Sequence, residues 1–189
     1  MRLEPLAEQH FELLARAAAD PELWLLMSAD GSRPDIFRAW FDESLGERIA
    51  FATVDAATGV PVGSSSFLSL APEHRRVEIG HTWLARSHWR TGANVEAKLL
   101  MLEHAFGPMR MRRVEFKTDA LNERSRRALA ALPAQFEGVH RRHMLVRGGE
   151  NRDSAWYSVI AEEWPAVREN LLRRLAGRGG GARAEEDAT

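Results

Sequence analysis

The order in which strand and helix patterns follow one another restricts the fold of this chain more than any other feature of its sequence. Two apolar runs at residues 49–54 and 61–70 enclose a turn sequence and predict a β-hairpin. A third strand is predicted at 77–84, and from there helices and strands alternate. This order predicts an α/β fold with a mixed, largely antiparallel central sheet of about seven strands and helices on both faces.

The remaining elements complete a single domain. Further strands are predicted at residues 2–6, 114–118, 135–146 and 155–161. Helices are predicted at residues 7–18, 122–132 and 164–175. Two further helical stretches begin after residues 20 and 33, and another helix ends at residue 106. Where the antiparallel run meets the first strand–helix–strand unit, we expect the strand ends to splay and leave a crevice. The domain is expected to cover residues 1–176, and the Gly-rich, then acidic residues 177–189 are expected to form a disordered tail.

Composition excludes several classes of protein and site. The 189 residues contain no cysteine, so there is no disulfide, thiol nucleophile or thiolate metal site. The net charge of -1 argues against a nucleic-acid partner, and the arginine clusters at 110–113 and 124–127 indicate solvated faces or anion sites. The histidines lack metal-binding spacing, so no metal is expected. With no apolar run of roughly 20 residues and no signal-peptide pattern, we expect no membrane association and a cytoplasmic location.

The segment from residue 84 to 97 has the pattern of an anion-binding site. A strand ends and a helix begins within one short loop, and the free backbone N–H groups at a helix start attract anions. Gly92 would let the backbone approach a phosphate, and Arg90 adds positive charge. The loop matches neither the Walker A motif nor the dinucleotide fingerprint. A glycine that only relieves a tight turn explains the same pattern, so the loop alone leaves both interpretations open.

Three longer segments carry a resemblance to a known family. They are residues 77–84, 89–97 and 119–127, with shorter matches at 136–138 and 152–158. Together they resemble the GNAT superfamily of N-acetyltransferases, specifically the RimJ/RimL-like branch of ribosomal-protein-alanine acetyltransferases. The resemblance extends from residue 2 to about 164. It implies a GNAT-type sheet and the use of acetyl-CoA as co-substrate.

The resemblance also implies where acetyl-CoA binds. The family's pyrophosphate loop has the form Gln/Arg-x-x-Gly-x-Gly/Ala, and Trp89, Gly92 and Asn94 occupy its defining positions. Only Gly92 matches strictly, and Asn94 is a departure. The pantetheine arm is implied to lie along the strand that ends near Leu84. The implied cofactor-binding residues are Leu84, Trp89, Arg90, Thr91, Gly92, Ala93, Asn94, Val95, Asn122 and Ser125.

Glu78 is the first candidate for the general base of acetyl transfer. The family has a glutamate at the corresponding position, and a carboxylate in the cleft could accept the amine proton directly or through water. An exposed charge, or an ion pair with Arg75 or Arg76, would explain the same residue. His81 is the second candidate, since its ordinary pKa suits a base. Strand alternation puts His81 on the opposite face from Glu78 and ranks it lower, unless the strand contains a bulge.

Two residues are candidates for the proton donor. Many enzymes of the family use a tyrosine, and the chain has one, Tyr157, on the last predicted strand. Ser125 lies on the helix after Asn122 and is favoured for the cofactor side, while Tyr157 is a candidate on the acceptor side. A hydroxyl bonded within its own helix, and a buried ring with a satisfied hydroxyl, are the structural alternatives.

Recognition of the acceptor is less well determined. The early helices carry a stripe of large apolar side chains: Trp24, Met27, Phe37, Trp40 and Phe41. The stripe forms either one wall of the acceptor cleft or part of the hydrophobic core, and stripes of this kind are more often core. Polar side chains on the late hairpin are either acceptor contacts or surface charges: Arg141, Arg142, His143 and Asp153.

These observations predict an N-acetyltransferase that moves an acetyl group from acetyl-CoA to a primary amine, on a protein N-terminus or a small molecule. Without a cysteine to carry the acyl group, we expect direct transfer in a ternary complex. The alternative is a catalytically silent acyl-CoA-binding or interaction module on the same fold. The resemblance also raises the expectation of a homodimer, although no residue in the sequence demonstrates one.

Overall fold

In the computed structural model, which describes residues 1–146 and 148–186 and the side chains up to residue 177, seven strands form one sheet. The strands are β1 (Arg2–Pro5), β2 (Ile49–Val54), β3 (Pro61–Ala71), β4 (Arg76–Leu84), β5 (Arg113–Asp119), β6 (Gln135–Val146) and β7 (Glu150–Ile160). Their order across the sheet is β1-β2-β3-β4-β5-β7-β6. Neighbouring strands are antiparallel except β4 and β5, which are parallel. The predicted fold class is confirmed.

Helices cover both faces of the sheet. They are α1 (Phe11–Ala18), α2 (Pro34–Glu47), α3 (Ala93–Phe106), α4 (Glu123–Ala131) and α5 (Trp164–Glu186). Helices α1 and α2 pack on one face, called the α2 face below, and α3, α4 and α5 pack on the other, called the α3 face. The helix predicted after residue 20 is a single 3-10 turn, Pro21–Leu23.

An aromatic core holds α1 and α2 on the sheet. Phe37 and Trp40 stack with ring centroids 5.5 Å apart, and Phe37 meets Trp83 of β4 edge-on at 5.9 Å. Trp24 donates its indole N–H to the carbonyl of Ala18 at 2.8 Å, which satisfies its polar atom within the core. The aromatic stripe is therefore core, whereas Met27 is only half-buried.

The sheet opens into a wedge between β4 and β5. These strands pair only from Arg76 opposite Arg113 to Glu78 opposite Glu115. Beyond Glu78, β4 continues to Leu84 without pairing to β5. The crevice expected from the sequence is thus present, and its start is fixed at Glu78.

The last helix is longer than the sequence predicts. Helix α5 continues past residue 176 to Glu186. Residues 187–189 lie outside the described residues. The disordered tail expected at 177–189 remains a prediction, and residue 176 is not a boundary of secondary structure.

Candidate functional site

A β-bulge in β4 shapes the floor of the wedge. Ser64 pairs with Trp83 and Ser66 pairs with Gly80, so two residues of β4 oppose one residue of β3. His81, in the bulge, has a left-handed backbone with φ of 47°. The extra residue reverses the alternation of side chains along β4. Side chains of β4 beyond the bulge therefore lie on the opposite face of the sheet from the one that a regular strand predicts.

Glu78 lies on the α2 face at the mouth of the wedge and is 2% exposed. Its Oε2 accepts from Nζ of Lys117, on β5, at 3.3 Å. A Cβ added to Gly80 would lie 3.0 Å from Oε1 of Glu78, so this glycine leaves room for the carboxylate. Burial raises the pKa of Glu78, and the Lys117 ammonium acts against that rise.

The structural alternatives considered for Glu78 do not hold. Its side chain is buried and not an exposed charge on the sheet. Arg75 instead donates to the carbonyl of Arg110 at 2.9 Å, and Arg76 donates to Glu115 at 3.1 Å. Glu78 is therefore a buried carboxylate whose ion-pair partner is on the opposite side of the wedge.

His81 shares a cavity with Glu78, contrary to the prediction from strand alternation. The bulge is the physical reason, because it turns His81 to the α2 face. Burial, followed by the nearby Arg48 guanidinium and Lys117, lowers the pKa of His81 to about 4. His81 is thus neutral at physiological pH and a weaker base than its ordinary pKa suggests.

The cavity beside Glu78 has a volume of about 510 Å³. It lies between the end of α2, the outer half of β3 and the wedge, and its charged lining residues are Glu47, Arg48, Glu78 and Lys117. Arg141, Arg142 and Asp153 line a different cavity, where the backbone N–H of Arg142 donates to Asp153 at 2.6 Å. The late-hairpin residues are therefore not brought to the Glu78 cavity.

On the other side of the wedge, the loop before α3 has the geometry of an anion-binding turn. Gly92 is the N-cap of α3 with φ of 104°, a conformation that favours glycine. Thr91 donates its hydroxyl to the carbonyl of His88 at 2.9 Å and accepts from the N–H of Ala93 at 3.3 Å. The first N–H groups of α3 have no acceptor within the helix, so they are suited to bind an anion.

Trp89 occupies a position where the family's loop has Gln or Arg, and it connects the loop to α4. Its indole N–H donates to the carbonyl of Leu84 at 2.9 Å, so this carbonyl is already hydrogen-bonded. The guanidinium of Arg124 lies 3.7 Å from the centre of its ring. Arg124 therefore places positive charge beside the loop. The arginine cluster at 124–127 was its only signal in the sequence.

The two predicted α4 residues lie at the start of that helix. Asn122 is its N-cap and accepts from the N–H of Ser125 at 3.0 Å. The side-chain oxygen of Asn122 is thereby used in capping, and its amide N–H groups remain for a ligand. Ser125 is half-buried.

Tyr157 lies on the opposite face from Glu78. Its ring is in the α3-face core opposite Phe116, and its hydroxyl accepts from Nε of Arg126 at 3.2 Å. It is not among the residues that line the Glu78 cavity. The structure thus brings Glu78 and His81 together and separates Tyr157 from them.

Two other kinds of site were considered for the molecule. Among the described residues, no three acidic or histidine side chains are grouped so as to hold a metal ion. No helix in the described ranges is both long enough and apolar enough to span a membrane.

The chain is similar to acetyltransferases in sequence and in structure. The model of the acetyltransferase (GNAT) domain family matches residues 1–134. The uncharacterized N-acetyltransferase YoaA of Bacillus subtilis (strain 168) is 32% identical over 124 residues, 66% of this chain and 68% of YoaA. A GCN5-related N-acetyltransferase from Brucella melitensis is 31% identical, with a TM-score of 0.86 over 92% of this chain and 81% of the other. An inferred acetyltransferase from T. thermophilus is 41% identical, with a TM-score of 0.83 over 92% and 93% of the two chains.

Proposed function

Because the chain belongs to the GNAT acetyltransferase family and is an acetyltransferase, we propose that it transfers an acetyl group from acetyl-CoA to a primary amine. One observation supports this most strongly: a buried carboxylate, Glu78, lies where β4 and β5 diverge. An anion-binding loop lies beyond it on the α3 side, and a cavity opens on the α2 side. Such a site can accept a donor and an acceptor together, so transfer is direct within a ternary complex.

The residues beside the loop fit the phosphates of acetyl-CoA. The N–H groups of Asn94 and Val95 would bind the pyrophosphate beside Ala93, whose own N–H donates to Thr91, and Gly92 keeps the backbone accessible. Arg124 would supply the positive charge that an arginine at the family's Gln/Arg position would supply. Leu84, Trp89, Arg90, Thr91, Asn122 and Ser125 complete the proposed set of cofactor contacts.

Glu78 is the proposed general base. Its carboxylate would take the proton of the amine as the nitrogen attacks the acetyl carbon. Lys117 favours the ionised carboxylate, because its positive charge acts against the rise in pKa that burial causes. The neutral His81 would line the amine pocket beside it.

The acceptor is proposed to be a protein N-terminus or a small amine, as in the RimJ/RimL-like branch that the segments at 77–84, 89–97 and 119–127 resemble. A homodimer, a cytoplasmic location and a domain ending near residue 176 are further proposals from the sequence. For the proton donor, Ser125 remains a candidate, and the Arg126 contact of Tyr157 argues for a structural role there.

The proposal is tested by measuring how much acetyl-CoA the protein consumes with each member of a panel of amines. The panel contains peptide N-termini, amino acids, polyamines and aminoglycosides. We expect amine-dependent release of CoA and an acetylated amine of matching mass. Tight binding of acetyl-CoA without acetylation of any amine in the panel would favour the silent acyl-CoA-binding module. A chain that binds no acetyl-CoA would contradict both hypotheses.

A further inference from the structure

Lys98 of α3 is a buried cation without an acidic partner. The residue is 7% exposed, and its Nζ donates to Thr82 Oγ1 at 2.6 Å and to Ser65 Oγ at 3.4 Å. No ion pair joins it to a carboxylate in the part of the chain that the structure describes. A buried, uncompensated ammonium group costs stability, and an apolar side chain would pack there at lower cost. Lys98 is therefore a poor choice for packing alone.

The amine of Lys98 lies between the strands that border the wedge. Thr82, its closer partner, follows the bulge on β4, beyond the last residue paired with β5. On the β5 side, Nζ lies 5.8 Å from the centre of the Phe116 ring. An ammonium group has three N–H donors, and the two hydroxyls accept two of them. The third donor has no hydrogen-bond acceptor among the described residues and is available to a ligand.

We propose that Lys98 contacts the thioester sulphur of bound acetyl-CoA and donates the proton that the departing thiolate requires. This inference rests on the proposed function, since it assigns a role within that reaction. It differs from a Ser125 or Tyr157 donor because the charge, and not a neutral hydroxyl, faces the sulphur. A cation also stabilises the negative charge that develops on sulphur as the bond breaks.

The step balances in atoms and charge. For an amine that enters neutral, the nitrogen attacks the carbonyl carbon and its proton goes to Glu78. The C–S bond then breaks, its electron pair stays on sulphur, and the Nζ proton of Lys98 moves to sulphur. The products are the amide, CoA as its thiol and a neutral Lys98. Glu78 returns its proton to solvent and Lys98 takes one up, so no further reactant is needed.

The surroundings of Lys98 favour a proton donor that works near neutral pH. The groups that face Nζ are the hydroxyls of Thr82 and Ser65 and the ring of Phe116, none of them charged. Tyr157, opposite Phe116 on β7, is titratable, and its hydroxyl accepts from Arg126. Burial alone lowers the pKa of Lys98 to about 7. A donor of that pKa is effective at physiological pH and is lost as the pH rises through it.

The test compares wild type with Lys98→Met, which keeps most of the length of the side chain and removes its charge, and Lys98→Arg, which keeps a charge. CoA is titrated on each protein through the ultraviolet absorbance of its thiolate, with desulfo-CoA as the blank. We expect Lys98→Met to raise the pKa of the bound thiol and to lower kcat about 100-fold, with little change in KM for acetyl-CoA. Lys98→Arg should retain most of the effect on the thiol.

A Lys98→Met protein with the wild-type thiol pKa and kcat would overturn the proposal. Should that variant not fold, the wild type decides, because a bound thiol whose pKa is not below that of free CoA also contradicts the contact. Failure of the proposed function gives a different result. A wild type that binds CoA with a lowered thiol pKa but acetylates no amine would contradict acetyl transfer while leaving the Lys98 contact standing.

Discussion

At the scale of single residues, the largest effects on the pKa of Glu78 oppose each other. Burial raises it, and the Lys117 ammonium 3.3 Å away lowers it. The carboxylate form that can accept a proton is therefore lost as the pH falls through this raised pKa. His81 does not replace it, because its own pKa is lowered to about 4.

Lys117→Met should move the acidic limb of the kcat/KM profile to higher pH. Without the ammonium, the main effect that opposes burial is lost, the pKa of Glu78 rises further, and the carboxylate is lost at a higher pH. Lys117→Arg, which keeps the charge, should leave the limb near its wild-type position. Glu78→Gln should remove the limb and lower kcat by about 100-fold. A limb that stays in place in Lys117→Met would mean that Glu78 is not the titrating base.

Sequence reasoning found Glu78 but not the side chains that act on it. Its family position and strand placement marked it as a base, whereas Lys117 lies 39 positions further on and only the fold brings it near. Lys98 was missed for another reason. Val95 and Leu99 lie on the apolar face of α3, and a lysine between them in the sequence looks like a solvated side chain. Its burial depends on hydroxyls of two other strands.

At the scale of elements, the bulge of β4 decides which side chains meet. A period of two along the strand predicted Glu78 and His81 on opposite faces. The backbone of His81, with φ of 47°, breaks that period and puts both on one cavity. Alternation cannot locate such a break, because inserting one residue leaves the apolar pattern on each side intact.

Phosphate binding by the loop before α3 can be tested separately from the effect of backbone strain. Gly92→Ala should weaken binding of acetyl-CoA about tenfold or more, because a Cβ at φ of 104° strains the turn and crowds the phosphate position. Gly59→Ala is the matched control: Gly59 also has a positive φ, 72°, and a Cβ there would meet nothing within 4 Å. Calorimetric titration with acetyl-CoA measures both. Equal losses of affinity would argue against phosphate binding at Gly92.

At the scale of the whole molecule, the order of elements was predicted correctly, because hydrophobic periodicity is a local property that the sequence carries directly. Six of the seven strands lie within one residue of their predicted bounds, whereas β7 begins at Glu150, five residues before its predicted start. What could not be predicted is the depth of the wedge, since it depends on where the pairing of β4 with β5 stops. That point is fixed by packing across the sheet.

The aromatic core under α2 should dominate the stability of that half of the molecule. Phe37 is 1% exposed and contacts several rings, so Phe37→Ala should lower the free energy of unfolding by about 3–5 kcal/mol. Leu25→Ala, at a side chain that is 67% exposed, should change it by only about 0.5 kcal/mol. Urea denaturation measures both. A small effect at Phe37 would show that the cluster is loosely packed.

The divergence of β4 and β5 has a kinetic consequence. The loop before α3 lies on the α3 side of the wedge, and the cavity beside Glu78 lies on the α2 side. Under the proposed function, acetyl-CoA enters from the loop side and the amine enters from the cavity side. The two meet in the wedge between β4 and β5. Neither needs to leave before the other arrives, so their binding should follow no obligatory order. Either product could then depart first.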